Sequence, residues 1–140
     1  MSRPDLAAMM APIGRALVAL ERPILQEHQL SMWAYAVLSS LDDEPVRTQA
    51  ALAEAIGADK TRLIAVLDQL QADGLIERRP APDDRRARVL SITAEGRRVR
   101  DAVQAAIRRE EEQLLAVLPA AQRDAFVAAL QALHAAVRPT

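Results

Sequence analysis

The sequence predicts a mainly α-helical fold carrying one small β-hairpin, with long terminal helices flanking a compact centre. Three observations lead there. Hydrophobic residues make up 51% of the 140 but aromatics only 2%, so the core is built from Ala, Leu, Val and Ile, a mix that helices pack well. Apolar residues recur at steps of three and four along most of the chain. One stretch breaks that period: "ERRPAPDDRRARVLSIT", Glu77 to Thr93, reads as strands around a loop rich in proline and aspartate.

The first element places Leu6, Met9, Met10, Ile13, Leu17, Leu20 and Ile24 on one stripe, as an amphipathic helix does. Pro23 falls inside the pattern and is expected to kink the helix or divide it, because proline removes a hydrogen bond and crowds the preceding turn. Ser31 reads as the N-cap of "SMWAYAVLSSL", which the acidic turn "DDEP" ends. Val46 fits one short strand. Thr48 then caps "TQAALAEAI", "GAD" turns the chain into "KTRLIAVLDQLQAD", and Gly74 closes that helix as a C′ residue. Two helices joined by a short glycine-containing turn are the signature of a helix-turn-helix.

In the second helix of the pair Leu63, Val66, Leu67 and Leu70 share an apolar face. Ala58, Thr61, Ala65, Asp68 and Ala72 point the other way by the 100° step, with Arg62 and Ile64 on the flanks. The outward face is small and mildly polar, so it can approach the floor of a groove. "LIERR" and "RVLSI" form the hairpin that follows. Thr93 caps a long helix with Val99, Val103, Ile107, Leu114 and Leu118 as its stripe; Pro119 begins a last one striped by Phe126, Leu130, Leu133 and Val137. The centre offers too little surface to cover these stripes, so a homodimer is expected. Residues 1–30 and 93–140 would be its dimerisation segments around a working unit of residues 31–92.

Composition removes several function classes. The chain has no cysteine, which excludes disulfides, thiolate zinc sites and thiol chemistry. Its two histidines are distant in sequence, and its acidic residues show no metal-binding loop, so no metal is expected. A glycine-rich phosphate loop, a GxSxG motif and a His-carboxylate-serine set in compatible helical phase are all missing; neither an enzyme nor a cofactor is expected. No apolar run of about 18 residues occurs, and "MSRPDLAAMM" lacks the order of a signal peptide. A soluble cytoplasmic protein follows. Glu110 and His134 interrupt apolar stripes, and exposure or an interface hydrogen bond accounts for either better than a buried switch.

Charge is unevenly distributed. The net charge is −1, yet residues 47–100 carry eleven basic side chains against eight acidic. Five of these, Arg78, Arg79, Arg85, Arg86 and Arg88, crowd the hairpin. A helix-turn-helix followed directly by a basic two-stranded hairpin is an arrangement for reading double-stranded DNA: the second helix enters the major groove and the hairpin reaches along the backbone to the minor groove. Arginine suits the tip, because a narrow minor groove has an enhanced negative potential. Thr48 and Gln49, opening the first helix of the pair, are placed to meet the DNA backbone. Of the two arginines at the base of the hairpin, one is expected only to pair with Asp73 or Glu77.

At this point the sequence resembles the MarR family of winged-helix regulators over nearly its whole length. The resemblance rests on "LSMWAYAVLSSL", on "LAEAIGADKTRLIAVLDQLQADGLIERRPAPDDRRARVLSITAEGRR" and on the helical ends. It implies that Asp84 and Arg86 are the wing's Asp-x-Arg, the arginine entering the minor groove and the aspartate orienting it, with Arg85 beside them near the phosphates and Arg88 on the same wing. It implies that Asp59, Lys60, Thr61 and Arg62 open the recognition helix, just after Ala58. Ile64 and Ala65 depart from the threonine and arginine that relatives often carry there, which shifts base choice toward Arg62, thymine-methyl contacts and DNA shape.

The resemblance further implies a pseudo-palindromic operator with half-sites about one helical turn apart, repression as the commoner outcome, and small amphipathic effectors such as aromatic acids. His28, Trp33 and Tyr35 are the candidates for an effector pocket; the alternative is that they are core residues with satisfied polar atoms. Two rival functions stay open. One is a scaffold dimer that binds a protein partner and has lost DNA binding, favoured by Ile64 and Ala65. The other is a ligand-binding protein without DNA binding.

Overall fold

The computed structural model describes residues 2–43, 46–84 and 86–137. Among these residues six helices and three strands follow one another in the order α1 (Leu6–Glu27), α2 (Met32–Asp43), β1 (Val46–Thr48), α3 (Gln49–Ile56), α4 (Lys60–Ala72), β2 (Ile76–Pro80), β3 (Arg88–Ile92), α5 (Ala94–Leu115) and α6 (Ala120–Val137).

The helix starts are set by side chains that accept from otherwise unpaired first-turn amides. Ser31 Oγ accepts from Ala34 N–H at 3.0 Å, Thr48 Oγ1 from Ala51 N–H at 3.1 Å, Asp59 Oδ1 from Arg62 N–H at 2.8 Å and Thr93 Oγ1 from Gly96 N–H at 2.9 Å. α4 ends on Gly74, whose φ of +76° lets Leu75 N–H return to Leu70 O at 2.9 Å. The expected division of α1 at Pro23 does not occur: one helix of 22 residues runs through both Pro12 and Pro23. Both prolines are exposed, and so are Ala8 and Ala19, whose carbonyls they leave without an intrahelical donor. Water can take those carbonyls, so the lost bonds cost less than in a packed helix.

The hairpin strands pair antiparallel from Ile76↔Ile92 to Pro80↔Arg88. β1 joins the other side of β3, with Val46 opposite Ser91, to give a three-stranded sheet in the order β1-β3-β2. β2 is thus an edge strand, which is why Pro80 is tolerated at its end.

One apolar cluster holds the elements together. Val37, Leu38 and Leu41 of α2, Leu52 of α3, Leu67 of α4, Leu90 of β3 and Val103 of α5 are wholly buried in it. Leu25, Leu30 and Ile107 belong to the same cluster, so the flanking segments also anchor to the central unit. By contrast α6 buries none of its residues against the rest of the chain, and Leu6, Met10 and Ile13 of α1 lie about half exposed.

Candidate nucleic-acid interface

The start of α4 is fixed from two sides. Asp59 caps it, and Leu63, Leu67 and Leu70 anchor its inner face in the core. The opposite face presents Lys60, Thr61, Arg62, Ile64 and Ala65, all exposed. Ala58, read from the sequence as part of the outward face, is instead half buried against the core, its N–H bonded to Ala53 O at 3.1 Å. It precedes the cap, so the helical 100° step does not apply to it.

The wing tip is shaped by its own backbone. Ala81 N–H bonds to Ala87 O, Ala87 N–H to Asp84 O, and the Asp84 carboxylate accepts from Arg86 N–H at 3.0 Å. Asp84 therefore acts on the arginine through the main chain, as an Asx turn. Arg85 lies outside the described residues.

Between α3, α4 and the wing runs a shallow groove of about 270 Å³, lined by Thr48, Gln49, Ala50, Ala53, Lys60, Leu63, Ile64, Arg86, Ala87 and Arg88. Six of the residues singled out from sequence meet here: Thr48 and Gln49 from the start of α3, Lys60 and Ile64 from α4, and Arg86 and Arg88 from the wing. Among the described residues three cations line the groove and no carboxylate does.

The arginines divide into two groups. Arg78 Nη2 reaches Asp68 and its Nε reaches Gln71, fastening β2 to the flank of α4. Arg79 pairs with Glu77 at 3.0 Å, as sequence suggested for one of these two. Arg97 and Arg100 both hold Asp42, joining α5 to α2, and Arg98 pairs with Glu95. Among the described residues no ion pair engages Lys60, Arg62, Arg86 or Arg88. These four cations are left without an ionic partner, while those at the base of the wing and at the start of α5 are paired.

His28 ends α1, while Trp33 and Tyr35 lie on different faces of α2. The His28 ring shares a hydrogen bond with Ile24 O at 2.9 Å, and Trp33 lies under the Arg62 guanidinium. Residues two apart on a helix project about 200° from one another, so Tyr35 faces the other way, toward α1 and α5. Burial pushes its phenol up from the ordinary value, while the Ser39 hydroxyl and Arg100 partly offset this. Beside it Arg100 is 13% exposed, its Nη1 shared between Asp42 and Asp101 at 2.8 Å and its buried Nε without an acceptor among the described residues. Burial alone would lower the Arg100 guanidinium, but Asp101 and Asp42 hold it above its ordinary value. Sequence did not single out Arg100, since its partner Asp42 is far away along the chain.

On the same junction Glu21 has its carboxyl pushed up, first by burial and then by the Glu111 charge. A raised acid binds its proton more tightly in the folded state. Stability therefore falls as pH rises from the ordinary carboxyl range through the raised value, and the deficit persists above it. Glu21→Gln is expected to raise the thermal midpoint at neutral pH and to leave it unchanged well below about pH 4, where both states are protonated. Parallel unfolding curves for the two proteins at all pH values would contradict this. Glu110 and His134 are both exposed in the chain.

Among the described residues no helix is long and apolar enough to cross a membrane, and no group of three or more His, Asp or Glu is placed to hold a metal ion. Residues 28–87 match the sequence model of the MarR family. The chain is similar to the putative transcriptional regulatory protein for the hcr operon of Thauera aromatica, 31% identical over 100 residues that span 71% of this chain and 60% of that protein. The crystal structure of MarR superposes over 95% of this chain and 91% of its own, with 25% identity and a TM-score of 0.84. The PcaV transcriptional regulator from Streptomyces coelicolor, in complex with its natural ligand, covers 99% of this chain and 100% of its own, with 27% identity and a TM-score of 0.70. These relatives are described as transcriptional regulators. The family match runs across α2, the helix-turn-helix and the wing, and the solved transcriptional regulators superpose over almost the full length, so the chain is similar to MarR-family regulators both in this central segment and in its fold.

Proposed function

We propose that the chain is a sequence-specific DNA-binding transcriptional regulator, a repressor acting as a homodimer on a pseudo-palindromic operator. The observation that carries this is the collection of unneutralised Lys60, Arg86 and Arg88 with Thr48, Gln49 and Ile64 around one groove free of carboxylates. α4 enters the major groove, with Lys60, Thr61, Arg62, Ile64 and Ala65 toward the bases, Ile64 supplying an apolar contact for a thymine methyl. Asp84 sets the wing turn and Arg86 enters the minor groove, while Arg85 and Arg88 meet phosphates. In this reading residues 31–92 do the DNA reading and residues 1–30 and 93–140 hold two copies together. A protein-docking scaffold accounts for the exposed Ile64, but gives no reason to leave the wing cations unpaired.

A small aromatic effector fits the reading as well. A relative is described with its natural ligand bound, and in this chain Tyr35 with the buried Arg100 Nε places an aromatic ring beside a free donor where α1, α2 and α5 meet. Such a ligand lowers DNA affinity only through unequal affinity for the DNA-fitting and non-fitting arrangements of the two lobes.

The test is binding of wild type and Arg86→Ala to DNA from the protein's own upstream region, across a salt series. Each minor-groove arginine is worth about 1–3 kcal/mol. With one per half-site, the variant is expected to lose about 30-fold or more in affinity and to show a shallower salt dependence. Equal binding of both proteins to this DNA, with a tight wild-type complex, would remove the wing from the interface. If both bind it no better than random DNA, selection from a random pool decides between another operator and another partner.

A further inference from the structure

Arg62 occupies an unfavourable place for its charge. It is the third residue of α4, where the helix dipole disfavours a cation, it is exposed, and no carboxylate pairs with it among the described residues. What it meets is the ring of Trp33, with the guanidinium carbon 5.6 Å from the ring centroid. Trp33 stands in the first turn of α2, half buried, on a helix that also packs against α4.

We propose that Trp33 is a positioning residue for DNA recognition: its ring holds the Arg62 guanidinium at the mouth of the recognition helix in an orientation ready for base contact. The inference rests on the DNA-reading function above. Three physical points support it. A cation-π contact uses the face of the ring and none of the five guanidinium N–H donors, so Arg62 keeps its full bidentate capacity toward a base edge. A free arginine gives up considerable rotamer freedom when it binds, and an arginine already leaning on a ring has less to lose. With Ile64 and Ala65 unable to donate hydrogen bonds, Arg62 is the long, forked donor left on the early turns of α4, and its orientation bears directly on base choice.

Trp33 is the only tryptophan in the chain, so the contact has its own optical signal. In the free protein, Arg62→Ala is expected to change Trp33 emission, and an unchanged spectrum would deny the contact. Binding is then measured on the duplex recovered by selection from a random-sequence pool, for wild type, Trp33→Leu, Trp33→Phe, Arg62→Ala and the Trp33→Leu/Arg62→Ala double variant. Circular dichroism confirms that each is folded. Trp33→Leu is expected to lose about fivefold in affinity per half-site and to relax discrimination at the base pairs where Arg62→Ala relaxes it. Trp33→Phe, which keeps a ring, retains most of the affinity. In the Arg62→Ala background the Trp33→Leu change has no further effect.

Equal losses from Trp33→Leu with and without Arg62 would show that Trp33 supports the fold only, and would overturn the proposal while leaving the DNA-reading function intact. Selection that recovers no duplex bound better than random DNA would overturn both, even with the emission change present.

Discussion

Replacing Gly96 by alanine is expected to destabilise the fold by about 3 kcal/mol or more, the upper end of what overpacking costs. In a helix interior the same change normally stabilises by roughly 0.5–1 kcal/mol, so the prediction reverses the usual sign. The reason is local and severe. A Cβ at Gly96 would overlap the Leu75 carbonyl oxygen and stand 2.9 Å from Ile92 Cγ1, and the first of these is backbone. Nor is Leu75 free to retreat, since its carbonyl accepts from Thr93 N–H at 3.1 Å while Thr93 Oγ1 donates to Gly74 O at 2.7 Å. Relief of the clash means giving up the bonds that clamp the start of α5 to the end of α4. Thermal unfolding should show a midpoint lower by roughly 10 °C for a chain of this size. A midpoint equal to wild type would mean that the two segments are not held this close in solution.

That clamp also has functional weight, because it joins the helix proposed to enter DNA to the long helix proposed for dimerisation. Leu75 and Gly96 make the junction rigid, and Arg78 adds a second tie from β2 to Asp68 on α4. The placement of the wing relative to the recognition helix is thus fixed by contacts that lie away from the exposed cations.

Much of this was legible in the sequence, for identifiable reasons. Ser31, Thr48 and Thr93 could be assigned as caps because a cap is a local event, decided within three residues. Leu63, Leu67 and Leu70 were placed inward by helical phase alone, and they are buried. Of the two outcomes expected at Pro23, division does not occur, because the cost of a proline depends on whether water can reach the carbonyl it frees, which is a matter of burial. The pairing of the arginines was legible only where it is local, as for Arg79 with Glu77: Arg78 meets a partner ten residues away and Arg97 one 55 residues away. The pairing of Trp33 with Arg62 likewise depends on how α2 packs against α4. Trp33 and Tyr35, two apart on α2, face different ways, as helix phase dictates.

The other large effect is expected where the chain leaves its apolar residues uncovered. Phe126, Leu130 and Leu133 of α6 are 42%, 40% and 57% exposed, and Leu6, Met10 and Ile13 of α1 are 57%, 50% and 48% exposed. Helices in proteins owe most of their stability to packing of an apolar face rather than to propensity, and α6 has no fully buried residue within its own chain, so the proposed pairing of two copies is what would stabilise it. Placing aspartate at both Leu130 and Leu133 puts two carboxylates into that contact, each costing several kcal/mol to desolvate unpaired. The double variant is expected to sediment as a monomer with less helix than wild type. Its operator affinity should fall by about 10²–10⁴, because two half-sites no longer share one linked reader. Arg86→Ala separates the two contributions: it should leave the dimer intact while lowering affinity and salt dependence together. If the aspartate variant stays dimeric, the interface lies elsewhere and the exposed stripe of α6 serves another contact. If it becomes monomeric and yet binds the operator as tightly as wild type, each chain reads its half-site unaided and the two-fold arrangement contributes nothing to recognition.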